Sequence, residues 1–120
     1  MGIASAPSTF EVAKEFFTRV AREEAASPLL SSTEKTVSFE VVGGEPFTLE
    51  FRHNEITVRE GSTATADLRV EVDVETCLKL LTGRMSPAEA FHQRRLWFDG
   101  IPYIGYPWLT RLIKIGQVTR

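Results

Sequence analysis

The residue types that most often carry catalysis are sparse in this chain, which has two histidines and one cysteine. His53 precedes Asn54 in a predicted tight turn, and His92 lies in a predicted short helix. The two histidines do not form a His-Glu-x-x-His motif, so a metal site would need Asp or Glu partners assembled by the fold. We interpret both as solvated surface residues and predict no metal ion.

A nucleophile is equally hard to find. Cys77 falls on the apolar face of a predicted helix, where a buried cysteine behaves as a small hydrophobic side chain. A reactive thiolate needs an exposed, electropositive setting instead. No Gly-x-Ser-x-Gly motif occurs, and Gly43-Gly44 is typical of a hairpin turn. We therefore predict that the protein is not an enzyme, with catalysis by fold-assembled carboxylates or His92 as the open alternative.

Composition excludes further classes of protein. The 120 residues suit one domain, and 25% charged with 10% aromatic residues does not describe a disordered chain. A net charge of −2 argues against a nucleic-acid partner, and no run approaches the roughly 18 apolar residues of a membrane span. We expect a flexible leader over 1–8 without a secretory signal, one domain over 9–120, and a cytoplasmic location.

The elements that must position any site follow from the period of the apolar residues. Helical spacing predicts a helix that Ser8 or Thr9 caps and that continues to about Ala26. Strict alternation then predicts four strands, each with one apolar and one polar face, at about 37–41, 47–51, 56–58 and 68–72. A sheet of this kind keeps one face in water and covers the other, so the helices should pack on a single side.

Helical period returns after the fourth strand. Asp73 is the predicted N-cap of one helix, which Gly83 terminates. Ser86 caps a second helix that starts with Pro87 and runs to about Arg94. Residues 96–99 then alternate like a fifth strand, and Pro107 is the predicted start of a last helix ending at Gly116. Together these elements predict an α/β (α+β) domain, a five-stranded and mainly antiparallel sheet with helices packed on one face.

The last helix and its lead-in are more apolar than one buried helix face requires. From Ile101 to Ile115, 9 of 15 residues are hydrophobic. The surplus indicates a ligand, a second chain or a membrane as partner, and the alternative is a central place in the protein's own core. Trp97 also lies on a face assigned to water, where it is either a contact anchor or, as we favour, covered by residues 101–106.

Charge is distributed unevenly along the chain. Residues 1–83 carry 8 basic and 14 acidic side chains, whereas residues 84–120 carry 6 basic and 2 acidic ones. Basic groups beside exposed apolar ones suit transient contact with an anionic membrane surface. The alternative is that they compensate the acidic sheet within the molecule.

Two stretches of the second half carry a family resemblance. The run Leu80-Leu81-Thr82-Gly83-Arg84-Met85-Ser86-Pro87-Ala88-Glu89-Ala90-Phe91 and the later Leu96-Trp97-Phe98-Asp99-Gly100 resemble the sterol carrier protein 2 family of small lipid-binding domains. Gly61 and Ala66-Asp67 are similar to that family's crossover into its fourth strand. The resemblance spans roughly residues 10–116, and relative to the family pattern residues 101–106 are an insertion before the last helix.

The resemblance implies strand order 3-2-1-4-5 and a hydrophobic tunnel between the sheet and the helices. It further implies noncovalent binding, with possible transfer, of a fatty acyl, sterol-like or isoprenoid lipid, without a cofactor, by a monomer or homodimer. The alternative function is an accessory module that dimerises or docks a partner through its C-terminal helix. Tyr103 or Tyr106 would orient a polar head group. The expected wall residues are Phe39, Phe47, Leu49, Leu81, Phe91, Phe98, Ile101, Tyr103, Trp108, Leu112 and Ile115.

Overall fold

The computed structural model describes residues 8–31, 33–100 and 102–119, of which Gly100 and 102–106 are described by their backbone alone. The leader predicted for residues 1–8 lies, apart from Ser8, outside the described residues. The strands are β1 Lys35–Val42, β2 Phe47–Arg52, β3 Glu55–Glu60, β4 Leu68–Asp73 and β5 Leu96–Gly100. All five lie where alternation of apolar and polar residues predicted them.

The strands form one sheet in the order β3-β2-β1-β4-β5. The pairs β1–β2, β2–β3 and β4–β5 are antiparallel, whereas β1 and β4 are parallel. His53 and Asn54 both have positive φ, 53° and 64°, and close the β2–β3 hairpin, as two-residue turns of this hand require. The predicted fold class and strand order are thus confirmed.

The helices are α1 Thr9–Ala21, α2 Ser27–Leu30, α3 Val74–Leu81, α4 Pro87–His92 and α5 Pro102–Val118, with a 3-10 turn at Glu24–Ala26. Ser8, one of the two candidate caps of α1, accepts a hydrogen bond from the Glu11 amide at 3.1 Å. The N-caps predicted at Asp73 and Ser86 are also present. The Asp73 carboxylate accepts hydrogen bonds from the Thr76 amide at 3.1 Å and the Thr76 hydroxyl at 2.6 Å. Ser86 Oγ accepts from the Glu89 amide at 3.1 Å. None of the helices in the described part of the chain has the length and apolar character needed to cross a membrane.

Two helix ends differ from the prediction. The first helix ends at Ala21 rather than Ala26, because Glu23 is extended (φ −80°, ψ 132°) and the chain restarts as a 3-10 turn. The α4 helix ends at His92, and Arg94 adopts a left-handed φ of 57°. A residue in this conformation ends a helix and turns the chain away, here into β5.

The start of the last helix was also predicted wrongly. It begins at Pro102, so Pro107 lies inside it, and residues 102–106 form its first turns. An interior proline removes one helical hydrogen bond. Further along, Leu109, Leu112 and Ile113 are buried in the core, and that packing holds the helix in place.

The apolar side chains of the strands share one face, here called the inner face, and this face forms a core with the helices. Register places Phe39 between Phe47 on β2 and Val70 on β4. The core also contains Phe16 and Phe17 of α1 and Leu112 of α5. At the crossing of α1 and α5, Gly116 brings the two helices so close that an added Cβ would meet the Phe16 and Val20 side chains.

The opposite, outer face carries the connection from β3 to β4, residues 61–67. Thr48 donates its hydroxyl to the Gly61 carbonyl at 2.7 Å, and Ser38 Oγ accepts from the Thr63 amide at 3.2 Å. Both side chains are buried although they point away from the core. The connection therefore covers the β1–β2 part of the outer face.

Candidate functional site

The predicted wall begins with two aromatic rings on the inner face. Phe39 and Phe47 are direct partners across β1 and β2, and their rings stack at 4.5 Å between centroids with 14° between planes. Phe17 of α1 lies 6.4 Å from Phe39, measured between ring centroids. An aromatic layer thus lies directly between the sheet and the helices.

Three aliphatic wall residues complete the buried part. Leu49 extends the layer along β2, Leu81 reaches it from α3, and Leu112 reaches it from α5. All three are buried, and they belong to the same cluster as Phe39 and Phe47. Five of the predicted wall residues are therefore brought together in one apolar layer.

Trp108, Phe98 and Ile115 are partly buried and pack against this layer. Trp108 donates its ring N–H to the Leu29 carbonyl at 2.9 Å, which ties α5 to α2. Its ring meets Phe51 edge-on, with centroids 4.6 Å apart. The indole is thus satisfied at its polar end and buried against the sheet at its apolar end.

Phe91 lies at the rim of the site. Its side chain is 48% exposed, and its ring centroid lies 6.4 Å from that of Phe98. Ile101 lies outside the described residues. Tyr103 and Tyr106 are in α5, but their side chains are also outside the described part. Their roles in the wall and at a head group remain predictions.

Phe17 and Phe51 are not among the expected wall residues, although both touch wall residues. The signals were present, because Phe51 has the inward parity of β2 and Phe17 lies on the apolar face of α1. The Leu29 contact of Trp108 had no such signal, since it joins a helix of four residues to a distant one.

A groove opens on the surface beside Trp108, between the 3-10 turn with α2 and the C-terminal half of α5. We call it the α2–α5 groove. Its volume is about 510 Å³, and it is lined by Ala25, Pro28, Leu29, Arg111, Lys114, Ile115 and Val118. Val118 is 72% exposed. Two cations thus flank an apolar surface on the basic part of the chain.

The groups considered for catalysis are placed as surface or core residues. Burial, followed by the nearby Asp73 carboxylate, raises the pKa of the Cys77 thiol to about 12, so it is not a thiolate at neutral pH. His92 is exposed at the end of α4. Within the described residues, no three His, Cys, Asp or Glu side chains lie close enough to hold a metal ion.

Comparison with known proteins adds a family and a set of similar folds. The model of the SCP-2 sterol transfer family matches residues 13–101. No curated protein matches the chain. Palmitated SCP2L2 from Aedes aegypti, a solution NMR structure, is 17% identical with a TM-score of 0.71, over 89% of this chain and 95% of that one.

Two other solved structures extend the range of similar proteins. A possible sterol carrier protein from Thermus thermophilus is 19% identical with a TM-score of 0.69, over 98% of this chain and 92% of that one. The inverting sec-alkylsulfatase Pisa1 from Pseudomonas sp. is 20% identical with a TM-score of 0.62, over 86% of this chain but 16% of the enzyme. The same fold thus occurs alone and as part of a larger chain.

Proposed function

Because this chain belongs to the SCP-2 sterol transfer family, we propose that it binds one long apolar lipid between its sheet and its helices and passes it on. The ligand is a fatty acyl, sterol-like or isoprenoid lipid, bound without a covalent step, a metal or an organic cofactor. The observation that carries the proposal is the apolar layer in which Phe39, Phe47, Leu49, Leu81 and Leu112 meet.

The cost of an empty cavity favours an apolar layer that closes when no lipid is bound. An open void of about 300 Å³ would cost some 7 kcal/mol at about 24 cal/mol per Å³. That cost rivals the whole stability of a small domain, about 5–15 kcal/mol. In the free chain Phe39, Phe47 and Leu112 are buried in one cluster, so a lipid would enter by displacing the helices from the sheet.

The affinity expected from such a site is modest. Burying sixteen methylenes at about 0.8 kcal/mol each gives some 13 kcal/mol gross, and association costs about 4–15 kcal/mol. Because methylene burial has no directional requirement, acyl chains of several lengths should bind. The palmitated Aedes aegypti protein, which shares the fold, makes palmitate the first ligand to test.

The direct experiment combines native mass spectrometry of the purified chain with displacement of a fluorescent fatty acid by palmitate. We expect co-purified lipid or reversible probe binding, and weaker binding when Ile115→Trp adds bulk to the wall. Thr18→Trp places the same large side chain on the exposed side of α1 and should leave binding unchanged. If neither lipid nor probe binds the wild-type chain, the proposal is wrong.

Transfer would require a brief contact with a membrane, and we place it at the α2–α5 groove. Each cation near an anionic leaflet contributes about 1 kcal/mol. Arg111→Gln with Lys114→Gln should therefore weaken binding to phosphatidylcholine–phosphatidylglycerol vesicles roughly thirtyfold. The control pair Lys14→Gln and Arg22→Gln removes the same charge from α1 and its C-cap residue. Equal losses in both pairs would contradict a specific contact.

The alternative is an accessory module that docks or dimerises through α5, and the part that this fold forms in an alkylsulfatase suggests it. Burial argues against it, because Leu109 and Leu112 are already covered within this chain. Light scattering during the lipid titration distinguishes a monomer from a homodimer. A cytoplasmic location and the absence of a nucleic-acid partner remain predictions of the sequence.

A further inference from the structure

The outer face of the sheet leaves Trp97 uncovered, contrary to the expectation that residues 101–106 fold over it. Its side chain is 54% exposed, and that of Val42 at the end of β1 is 59% exposed. The β3–β4 connection covers the other part of this face, near Ser38 and Thr48. An open cleft of about 490 Å³ remains over β1, β4 and β5.

We call this the outer-face cleft. It is lined by Glu40, Val41, Val42, Pro46, Arg69, Val70, Glu71, Trp97, Phe98 and Asp99. Strand register aligns three of these residues. Glu71 on β4 has Trp97 on β5 as its direct neighbour on one side and Glu40 on β1 as its direct neighbour on the other. An indole and two carboxylates thus stand in one row across three strands, with Val42 and Pro46 as an apolar wall.

This row is unfavourable for the sheet alone. Glu40 and Glu71 are register partners on the parallel strands β1 and β4, and like charges on neighbouring strands repel each other. Glu40 also accepts a hydrogen bond from the Ser38 hydroxyl at 3.2 Å. Among the residues that the structure describes, no ion pair includes Glu40, Glu71 or Asp99. Elsewhere on the sheet, Glu50 does pair with Arg59, at 3.1 Å.

We propose that the outer-face cleft binds a segment of a partner protein that presents a lysine or arginine beside an apolar side chain. The cation lies between Glu71, Glu40 and the face of Trp97, where a cation–π contact adds to the charge attraction. The apolar neighbour packs against Val42 and Pro46. An anionic membrane is repelled here, because the lining carries three carboxylates and one arginine.

The site lies on the face of the sheet opposite to the lipid layer, so it serves recognition of a partner rather than lipid contact. Exposed tryptophan and arginine contacts are the usual anchors of protein interfaces. The partner is thus recognised by charge and by one aromatic surface, and its binding should weaken as the salt concentration rises.

The test uses a capped Ala-Arg-Leu-Arg-Ala peptide and, as control, the same peptide with citrulline in place of each arginine. NMR amide shifts at Glu40, Glu71 and Trp97 report the site. We expect the arginine peptide to shift these signals, and Glu40→Gln with Glu71→Gln to weaken its binding about tenfold. Glu55→Gln with Glu60→Gln, on the far edge strand, should leave binding unchanged.

A second measurement separates recognition from structure. Removing the like-charge pair should raise the midpoint of thermal unfolding while it weakens peptide binding, whereas a purely structural role predicts a lower midpoint. Fatty-acid displacement should be unchanged in the same variant, so this proposal and the lipid proposal fail independently.

Three results would overturn the proposal. They are the absence of shifts at millimolar peptide, equal binding of the citrulline peptide, and unchanged binding in the Glu40→Gln, Glu71→Gln variant. Butylammonium binding as tight as the peptide would instead indicate a small-amine site. Concentration-dependent shifts of the same signals without peptide, together with a doubled mass in light scattering, would indicate a second copy of the chain.

Discussion

Substituting Gly116 tests the helix layer directly. An added Cβ would lie 2.6 Å from Val20 Cγ2 and 2.7 Å from Phe16 Cε2, and closer still to Phe16 Cζ. Neither side chain has room to retreat, because both are fully buried. In an exposed helix, Gly→Ala gains up to about 1 kcal/mol. Overpacking a tight core costs about 1–3 kcal/mol, and contacts this short lie at or above the upper end.

We therefore expect Gly116→Ala to lower the free energy of unfolding by about 2 kcal/mol net, taking the upper end of the overpacking range. For a domain of this size the midpoint of thermal unfolding should fall by about 8 °C. Urea unfolding followed by far-ultraviolet circular dichroism measures the change. The loss should come from a lower midpoint with an unchanged slope.

A double-mutant cycle assigns the effect to the helix crossing. Phe16→Leu alone removes packing and costs about 1 kcal/mol, but it also makes room for the new methyl group. The double variant should therefore lose less than the sum of the single losses, by about 1 kcal/mol. If Gly116→Ala stabilises the chain, as it would in an exposed helix, the close approach of α1 and α5 is refuted.

Three further predictions concern single residues. Arg94→Gly should stabilise the chain by about 0.5–1 kcal/mol in urea unfolding, because glycine adopts the left-handed φ of 57° without steric cost; a loss would show that the arginine side chain contributes more than its backbone strain. Cys77, with its thiol pKa raised to about 12 by burial and the Asp73 charge, should react with a thiol reagent at pH 8 only as fast as the chain opens; fast reaction of the native protein would contradict its burial. Burial raises the pKa of Asp73, but the Thr76 hydroxyl and amide bonds outweigh this, so its pKa lies below the ordinary 3.8. The charged cap therefore stabilises the fold above pH 3.8 and loses this effect as the pH falls through the lowered pKa, and Asp73→Asn should make unfolding less dependent on pH in that range; identical pH profiles would contradict the Thr76 contact.

Strand positions were predictable from sequence because one face of the sheet is largely solvated. In β4, for example, Leu68, Val70 and Val72 point inward and alternate with polar residues, which fixes both the strand and its facing. The order of the strands in the sheet was not predictable in this way, because alternation does not indicate which strands pair with each other. That β1 and β4 are neighbours followed from the strand order that the family resemblance implies, whereas their parallel orientation was not predicted.

Helix ends and the rim of the site show where local patterns fail. Pro107 has the properties of a helix start, but packing further along α5 outweighs its missing hydrogen bond. Phe91 and Ala90 are adjacent in α4, and adjacent helical residues point about 100° apart, so a short helix on the edge of the core can bury one of them and leave the other at the surface. Ala90 is the buried one, which explains why Phe91 lies at the rim.

The parallel pairing of β1 with β4 also determines how late in synthesis the inner face of β1 can be covered. Val37 cannot pair with Leu68, its neighbour on β4, until β4 has been synthesised. The apolar layer between the sheet and the helices closes only when α5 has been made. At about 5–20 residues per second, the inner face of β1 stays open on the ribosome for several seconds. A lipid present during that interval meets the layer before the helices close it. We therefore expect chains made in a cell to carry more lipid than chains refolded and then mixed with lipid.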